Sequence, residues 1–214
     1  MSDRLPETGR FIAVEGADGT GKSTQARLLA ERLGALFTRE PGGTPLGERI
    51  RDLVLDPSGP TPVDRAEALL MAAARAQHVE MVVAPALADG RDVVSDRYVA
   101  SSIAYQGHGR GLGAAPVAEV NEFATGGLAP DLVVLIEVAT PVAGSRLGDD
   151  REGELDRIEQ AGHDLQTVVV DAYRAMAAAD PDRWVVVDGG GTVDEVAARV
   201  AAAVDARLDS GRDR

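Results

Sequence analysis

Apolar residues fall along the chain in short blocks, separated by stretches in which they recur every three or four positions. Phe11 to Glu15 reads FIAVE, a run of strand formers. Gly16 to Ser23 follows as a glycine-rich turn. Ala26, Leu29, Ala30 and Leu33 then repeat at i, i+3, i+4 and i+7, the spacing of one helix face, and Gly34 stops that helix. Leu36 to Thr38 predicts a second short strand, Arg39 to Pro45 a Gly/Pro loop, and Leu46 to Leu55 a helix. After a loop over Asp56 to Pro62, a long helical pattern runs from Val63 to about Asp89. Asp92 to Ser95 reads as a buried strand ending at Asp96, with helical stretches after Ser101 and around Ala115 to Ala124. Leu132 to Val138, nearly all β-branched or leucine, has the pattern of a parallel strand buried on both faces. Leu165 to Ala179 predicts a helix, and Trp184 to Val187 a last strand. Val193, Val196, Ala197 and Val200 share one face of a last helix.

Strands alternating with helices predict an α/β fold: a five-stranded parallel sheet with helices on both faces. Neither an internal repeat nor a separating linker interrupts the pattern, so residues 11–208 read as a single domain. Residues 1–10 and 209–214 read as flexible ends. Gly144 to Glu154, charged and glycine-containing, reads as a mobile loop.

The chain has 214 residues, 44% of them hydrophobic, an ordinary globular composition long enough to bury a large core. No apolar run is long enough to span a bilayer, the polar start does not resemble a secretory signal, and cysteine is absent. These features predict a cytoplasmic protein without disulfides, thiolate catalysis or cysteine-held zinc. A net charge of -13 repels polyanions, which argues against nucleic-acid binding. Any anionic substrate must therefore meet a local cluster of positive groups. Of the 22 basic residues, all but Lys22 are arginine.

That single lysine sits in Gly16-Ala17-Asp18-Gly19-Thr20-Gly21-Lys22-Ser23, which matches G-x4-G-K-[ST]. The glycines let backbone N–H groups turn inward around phosphates, and the following helix adds its positive end. Lys22 would neutralise β- and γ-phosphate oxygens, the Ser23 hydroxyl would reach Mg²⁺, and Thr24 opens the helix beside them. A compact ammonium fits inside this loop where a wide guanidinium does not, a physical reason for lysine to persist here.

Asp96-Arg97-Tyr98 lies just past a buried strand. A carboxylate there can hold Mg²⁺ through water, and the arginine can clamp a second phosphate; a surface ion pair reads equally well. Asp18, inside the phosphate loop, is unfavourable beside phosphates unless it binds something else, such as metal-bound water or a sugar hydroxyl. A solvent-facing turn aspartate is the alternative.

Four segments in order resemble thymidylate kinase over roughly residues 11–188: the run from Glu15 to Gln25, Thr38-Arg39-Glu40-Pro41-Gly42-Gly43-Thr44, Asp96-Arg97-Tyr98 with Ser101 to Gly107, and Glu154-Leu155-Asp156-Arg157-Ile158-Glu159. The resemblance implies the phosphate-loop NTPase fold of nucleoside monophosphate kinases with a small lid near residues 144–156, and ATP and Mg²⁺ as donor and cofactor. It implies dTMP as acceptor and a homodimer as assembly. Asp18 would hold the deoxyribose 3′-hydroxyl, and Arg39, Arg51 and Arg97 would surround the dTMP phosphate beside Glu40 and Pro41. Arg75 would meet a thymine carbonyl, with Ser101, Ser102, Tyr105 and Gln106 lining the nucleoside pocket. In the bacterial type a lid arginine stabilises the transferring phosphoryl group; Gly19 fits that type, and both Arg146 and Arg151 lie in the lid beside Asp149 and Asp150. One departure is Met71, which stands where the family usually places a phenylalanine against the base; methionine offers a polarizable but flexible face.

The histidines, His78, His108 and His163, have no metal-triad spacing and read as surface or loop residues. Trp184 reads as core, and Asp188 to Gly191 as a loop that approaches adenine. Two rival functions remain open on the residues alone: another nucleotide or nucleoside kinase, and a non-enzymatic ATP-binding switch.

Overall fold

A computed structural model describes residues 8–138, 156–158, 160 and 162–210. The five apolar blocks form β1 (Phe11–Glu15), β2 (Leu36–Arg39), β3 (Val93–Asp96), β4 (Leu132–Glu137) and β5 (Trp184–Asp188). They pair in parallel in the order β2-β3-β1-β4-β5. The alternating pleat sends Phe11 and Ala13 to one face of β1 and Ile12 and Val14 to the other, and all four are buried. Neither face of the sheet can meet water, so helices cover both.

Helices α1 (Lys22–Leu33) and α8 (Val193–Ser210) cover one face, packing Ala26, Leu29, Val196 and Val200 against Ile12, Val14, Val134 and Ile136. The other face is covered by α2 (Pro45–Leu55), α3 (Asp64–His78) and α7 (His163–Ala179), through Val54, Met71, Ala74, Val169 and Tyr173. Each large aliphatic side chain buried in this way contributes roughly 1.5–3 kcal/mol. In chain order, α4 (Ala84–Ala88), α5 (Val99–Ser102) and α6 (Ala114–Thr125) follow α3 and precede α7.

Three boundaries differ from the sequence expectation. The pattern from Val63 to Asp89 is not one regular helix: α3 passes through a π-helical turn, Val79–Val83, into α4. A second π-helical stretch, Ile103–Gly109, continues α5 and carries Tyr105 and Gln106. Such turns insert an extra residue, which a 3.6-residue period cannot reveal, and they recur at functional sites. Third, the Arg39–Pro45 loop is shorter than expected. Arg39 ends β2, and Pro45 opens α2 behind Thr44, whose hydroxyl accepts from Gly47 N at 3.0 Å.

Register decides where the chemistry lies. Asp96 at the end of β3 stands level with Arg39 on β2 and Val14 on β1. The chain leaves three adjacent strands at their carboxyl ends here, where ligands bind in sheets of this kind.

Candidate active site

The loop from β1 to α1 turns on its glycines. Gly19 and Gly21 have φ of 78° and 82°, in the left-handed region. A Cβ on Gly16 would come 2.7 Å from the carbonyl oxygen of Ile136, so close approach to β4 excludes any larger residue. Thr20 Oγ1 donates to Ala17 O at 2.9 Å and closes the turn. Lys22, at the first turn of α1, folds back so that Nζ lies 3.4 Å from Ala17 O and 3.3 Å from Asp18 Oδ1. Burial lowers the lysine's pKa and Arg97 adds to this, with Asp18 and Asp96 opposing.

Asp18 joins this loop to the rest of the cleft. Besides Lys22, it accepts from Arg97 Nη2, from Tyr105 Oη at 2.8 Å and from Gln166 Nε2 at 3.0 Å. Burial works to raise its pKa, but Lys22 and Arg97 outweigh burial and hold the carboxyl well below the usual aspartate range. Burial drives the Tyr105 phenol well above its ordinary pKa, so it stays protonated and donates.

Arg97 has φ of 74°, the one non-glycine residue in the left-handed region among those described. Such backbone is strained by the order of 1–3 kcal/mol and persists only where surroundings enforce it. Here Arg97 N donates to Val14 O, and Nη1 donates to Gly16 O at 3.3 Å, Ser101 Oγ at 2.9 Å and Tyr173 Oη at 3.2 Å. Behind it, Glu15 closes β1 fully buried and accepts from Tyr98 N, Ser101 Oγ and Tyr173 Oη at 2.7–2.8 Å. Burial raises the Glu15 pKa, partly offset by Arg97.

Arg75, on α3, is almost completely buried. Nε donates to Glu40 Oε2 at 2.7 Å, Nη1 to Ser102 Oγ at 3.0 Å and to Asn121 Oδ1, and Nη2 to Tyr98 O at 3.1 Å. These four hydrogen bonds occupy four of its five N–H groups among the described residues. Arg39 and Arg51 both donate to the carbonyl of Pro41, at 3.3 and 3.1 Å, and Arg39 also donates to Glu48. Burial and the neighbouring Arg39 lower the Arg51 pKa.

One cleft gathers these side chains. The phosphate loop and the start of α1 contribute Asp18, Lys22 and Ser23 to its lining; β2, the loop after it, α2 and α3 contribute Arg39, Glu40, Pro41, Arg51, Met71 and Arg75; the end of β3 and the segment after it contribute Asp96, Arg97, Ser101, Ser102, Tyr105 and Gln106. Every residue assigned to the acceptor from sequence therefore meets the same space, which Arg27, Leu55, Asp156 and Ile158 complete. Arg146 and Arg151 lie outside the described residues. Asp96 Oδ1 is buried with no hydrogen-bond partner among the described residues, and Asp96 lines the cleft together with Ser23. One carboxylate oxygen and one hydroxyl beside a phosphate site suit Mg²⁺, which takes few protein ligands and several from phosphates and water.

The expectation for His78 fails. It is fully buried, with Nδ1 2.8 Å from Glu40 Oε1 and Nε2 2.6 Å from Thr38 Oγ1, whereas His108 is exposed as expected. Sequence reading also missed Glu15, Asn121, Gln166 and Tyr173. A charged residue closing an otherwise apolar strand was a usable signal for Glu15. The chain's three tyrosines were another: Tyr105 and Tyr173 bond Arg97, and Tyr98 lies under Arg75.

Comparisons with known proteins point to one family. The family model described as Thymidylate kinase matches residues 14–200. A thymidylate kinase from Leifsonia xyli subsp. xyli (strain CTCB07) is 47% identical over 213 residues, covering 97% of this chain and 100% of that protein. One from Lactobacillus helveticus (strain DPC 4571) is 42% identical over 206 residues, covering 94% of this chain and 97% of that protein. The crystal structure of thymidylate kinase from Ehrlichia chaffeensis superposes with a TM-score of 0.74 at 29% identity, covering 92% of this chain and 99% of that one. A phosphate loop facing an arginine-lined cleft, with these matches along nearly its whole length, means that the chain belongs to the thymidylate kinase family.

Proposed function

We propose that the chain transfers the γ-phosphoryl group of ATP to the 5′-phosphate of dTMP, giving dTDP and ADP. The observation that carries this reading is the meeting of two cation sets in one cleft: Lys22 on the phosphate loop, and Arg39, Arg51 and Arg97 across from it. A switch protein needs only the first set. The loop N–H groups and Lys22 hold the ATP phosphates, and the arginines hold the acceptor phosphate in line with them. That phosphate is already ionised, so no general base is required. Asp18 takes the sugar hydroxyl, Arg75 with Ser102 meets a base carbonyl, and Met71 with Tyr105 and Gln106 bounds the base. Mg²⁺, held by Ser23 and Asp96, would neutralise charge on the ATP phosphates. Arg146 or Arg151 is assigned the charge on the phosphoryl group in transit.

ADP release measured with dTMP, dUMP, AMP, CMP and thymidine tests the assignment. Preference for dTMP by a wide margin is expected; equal use of another acceptor overturns it. A cytoplasmic location and a homodimer belong to the same proposal. No described helix is long and apolar enough to cross a membrane, and the neighbouring α3 and α6 leave Leu69 and Phe123 exposed. Sedimentation velocity returning a monomer at micromolar concentration would remove the dimer.

A further inference from the structure

Arg75 can read a base only if its guanidinium is held in one orientation. Glu40 holds it, through Oε2. A carboxylate bound by one oxygen alone can still swing, so the constraint on the other oxygen matters. Glu40 Oε1 meets His78 Nδ1 at 2.8 Å, and His78 Nε2 meets Thr38 Oγ1 at 2.6 Å. The Glu40 carboxylate can only accept, so Nδ1 carries the proton of the neutral ring and donates to it, and the threonine hydroxyl then donates to Nε2.

The placement of the ring adds a second constraint. His78 stands one helical turn after Arg75, on the same side of α3, and immediately before the π-helical turn. A Cβ on Gly43 would lie 2.6 Å from His78 Cδ2, so the backbone of the Glu40–Gly43 loop rests on the imidazole. The same loop presents the Pro41 carbonyl to Arg39 and Arg51. One fully buried ring therefore touches the support of the base-side arginine and the loop to which both phosphate-side arginines are tied. Among the described residues, neither of its hydrogen bonds reaches the phosphate loop around Lys22.

We propose that His78 is a positioning residue for the acceptor nucleotide, acting through Glu40 on Arg75 and through the Glu40–Gly43 loop on Arg39 and Arg51. This rests on the acceptor reading given above. Its mark is selectivity: the acceptor end of the cleft depends on it and the ATP end does not.

Steady-state kinetics of the full chain with ATP and dTMP test it. In His78→Leu, which fills the space without a hydrogen bond, the KM for dTMP should rise about tenfold, the loss of one charge-assisted bond. The KM for ATP should stay within about twofold. His78→Asn keeps an N–H near the Nδ1 position and should recover most of the dTMP KM; His78→Gln, which reaches only toward Thr38, should not. An unchanged dTMP KM in a folded His78→Leu protein, an equal rise in both KM values, or no advantage of Asn over Gln overturns the proposal. Should His78→Leu fail to fold, Thr38→Val tests the far end of the same chain of contacts. A selective rise of about two- to threefold supports the proposal, and no change overturns it. If the wild-type chain does not use dTMP, the acceptor reading itself falls. If it does, and the His78 variants are indifferent, only this inference falls.

Discussion

The two ends of the cleft are built in opposite ways. The end proposed for the phosphoryl donor is a single run, Gly16 to Ser23, whose glycines, threonine clasp and lysine lie within eight positions and are joined by contacts three to five residues apart. The end proposed for the acceptor draws Arg39 from β2, Arg51 from α2, Arg75 from α3 and Arg97 from beyond β3, and holds them through partners as much as 81 positions away. A short loop can hold phosphate with backbone N–H groups because every residue supplies one. Recognition of a particular nucleotide needs side chains of differing chemistry, and these reach one space only after the sheet has aligned its strand ends. Asp18 is where the two ends meet, since Lys22 and Arg97 share its carboxylate.

The contrast can be broken by experiment, and the largest effect should come from the donor end. Lys22→Ala should lower kcat by about 10³-fold or more, as expected for removing the phosphate-neutralising charge, with folding intact by circular dichroism. Lys22→Arg should fail almost as badly, because a planar fork does not fit the buried space of Nζ; near-normal turnover there would refute the steric explanation.

At the acceptor end, Arg97 tests whether strain is maintained for function. Arg97→Ala and Arg97→Gly should both lose about 10²-fold or more in kcat/KM for dTMP. The glycine variant should nevertheless be the more stable of the two by about 1 kcal/mol in chemical denaturation, since only glycine accepts a φ of 74° without penalty. Equal stability would mean that the backbone relaxes there. Arg75→Lys, which keeps the charge but loses the fork gripped by Glu40, Ser102 and Asn121, should raise the KM for dTMP about tenfold and spare that for ATP.

Asp18 predicts a pH dependence. Its folded pKa is lower than its unfolded one, so the folded state binds fewer protons. The stability it contributes is therefore complete above the ordinary aspartate range and is lost as pH falls toward the folded pKa. Melting curves at pH 7 and pH 3 should diverge less for Asp18→Asn than for the wild type; equal divergence would place the acid sensitivity elsewhere. The smallest effect is expected of Met71→Phe, which should tighten dTMP binding or leave it within about twofold. A large loss in calorimetry would show that α3 sits too close to the base for a ring.

Local features were legible to the degree that local physics dictates them. The β1–loop–α1 unit, all five strands and the cap of α1 at Gly34 follow from residue pattern, because a buried strand, a turn with positive φ and a helix stop each need residue types visible in a short window. Apart from Arg97 and Asp18, the acceptor residues were reached through resemblance to a family; neither spacing nor composition places Arg51 beside Arg39. His78 shows the limit most clearly. A histidine in a helix of alternating burial reads as surface when its partners, Glu40 and Thr38, stand 38 and 40 positions away. The π-helical turns were likewise hidden, since one inserted residue shifts a helical face without altering composition.

The sequence by itself determined a parallel α/β sheet and a glycine-rich loop of the phosphate-binding pattern, since these depend on backbone conformation and on burial patterns with short periods. Only the tertiary structure decided that Asp18 bridges donor and acceptor cations, that Glu15 and Tyr173 brace Arg97, and that Arg75 is fixed by Glu40 and Asn121. Those facts depend on desolvated charges, whose energies are set by every neighbour within a few ångströms, and neighbours in space are not neighbours in sequence.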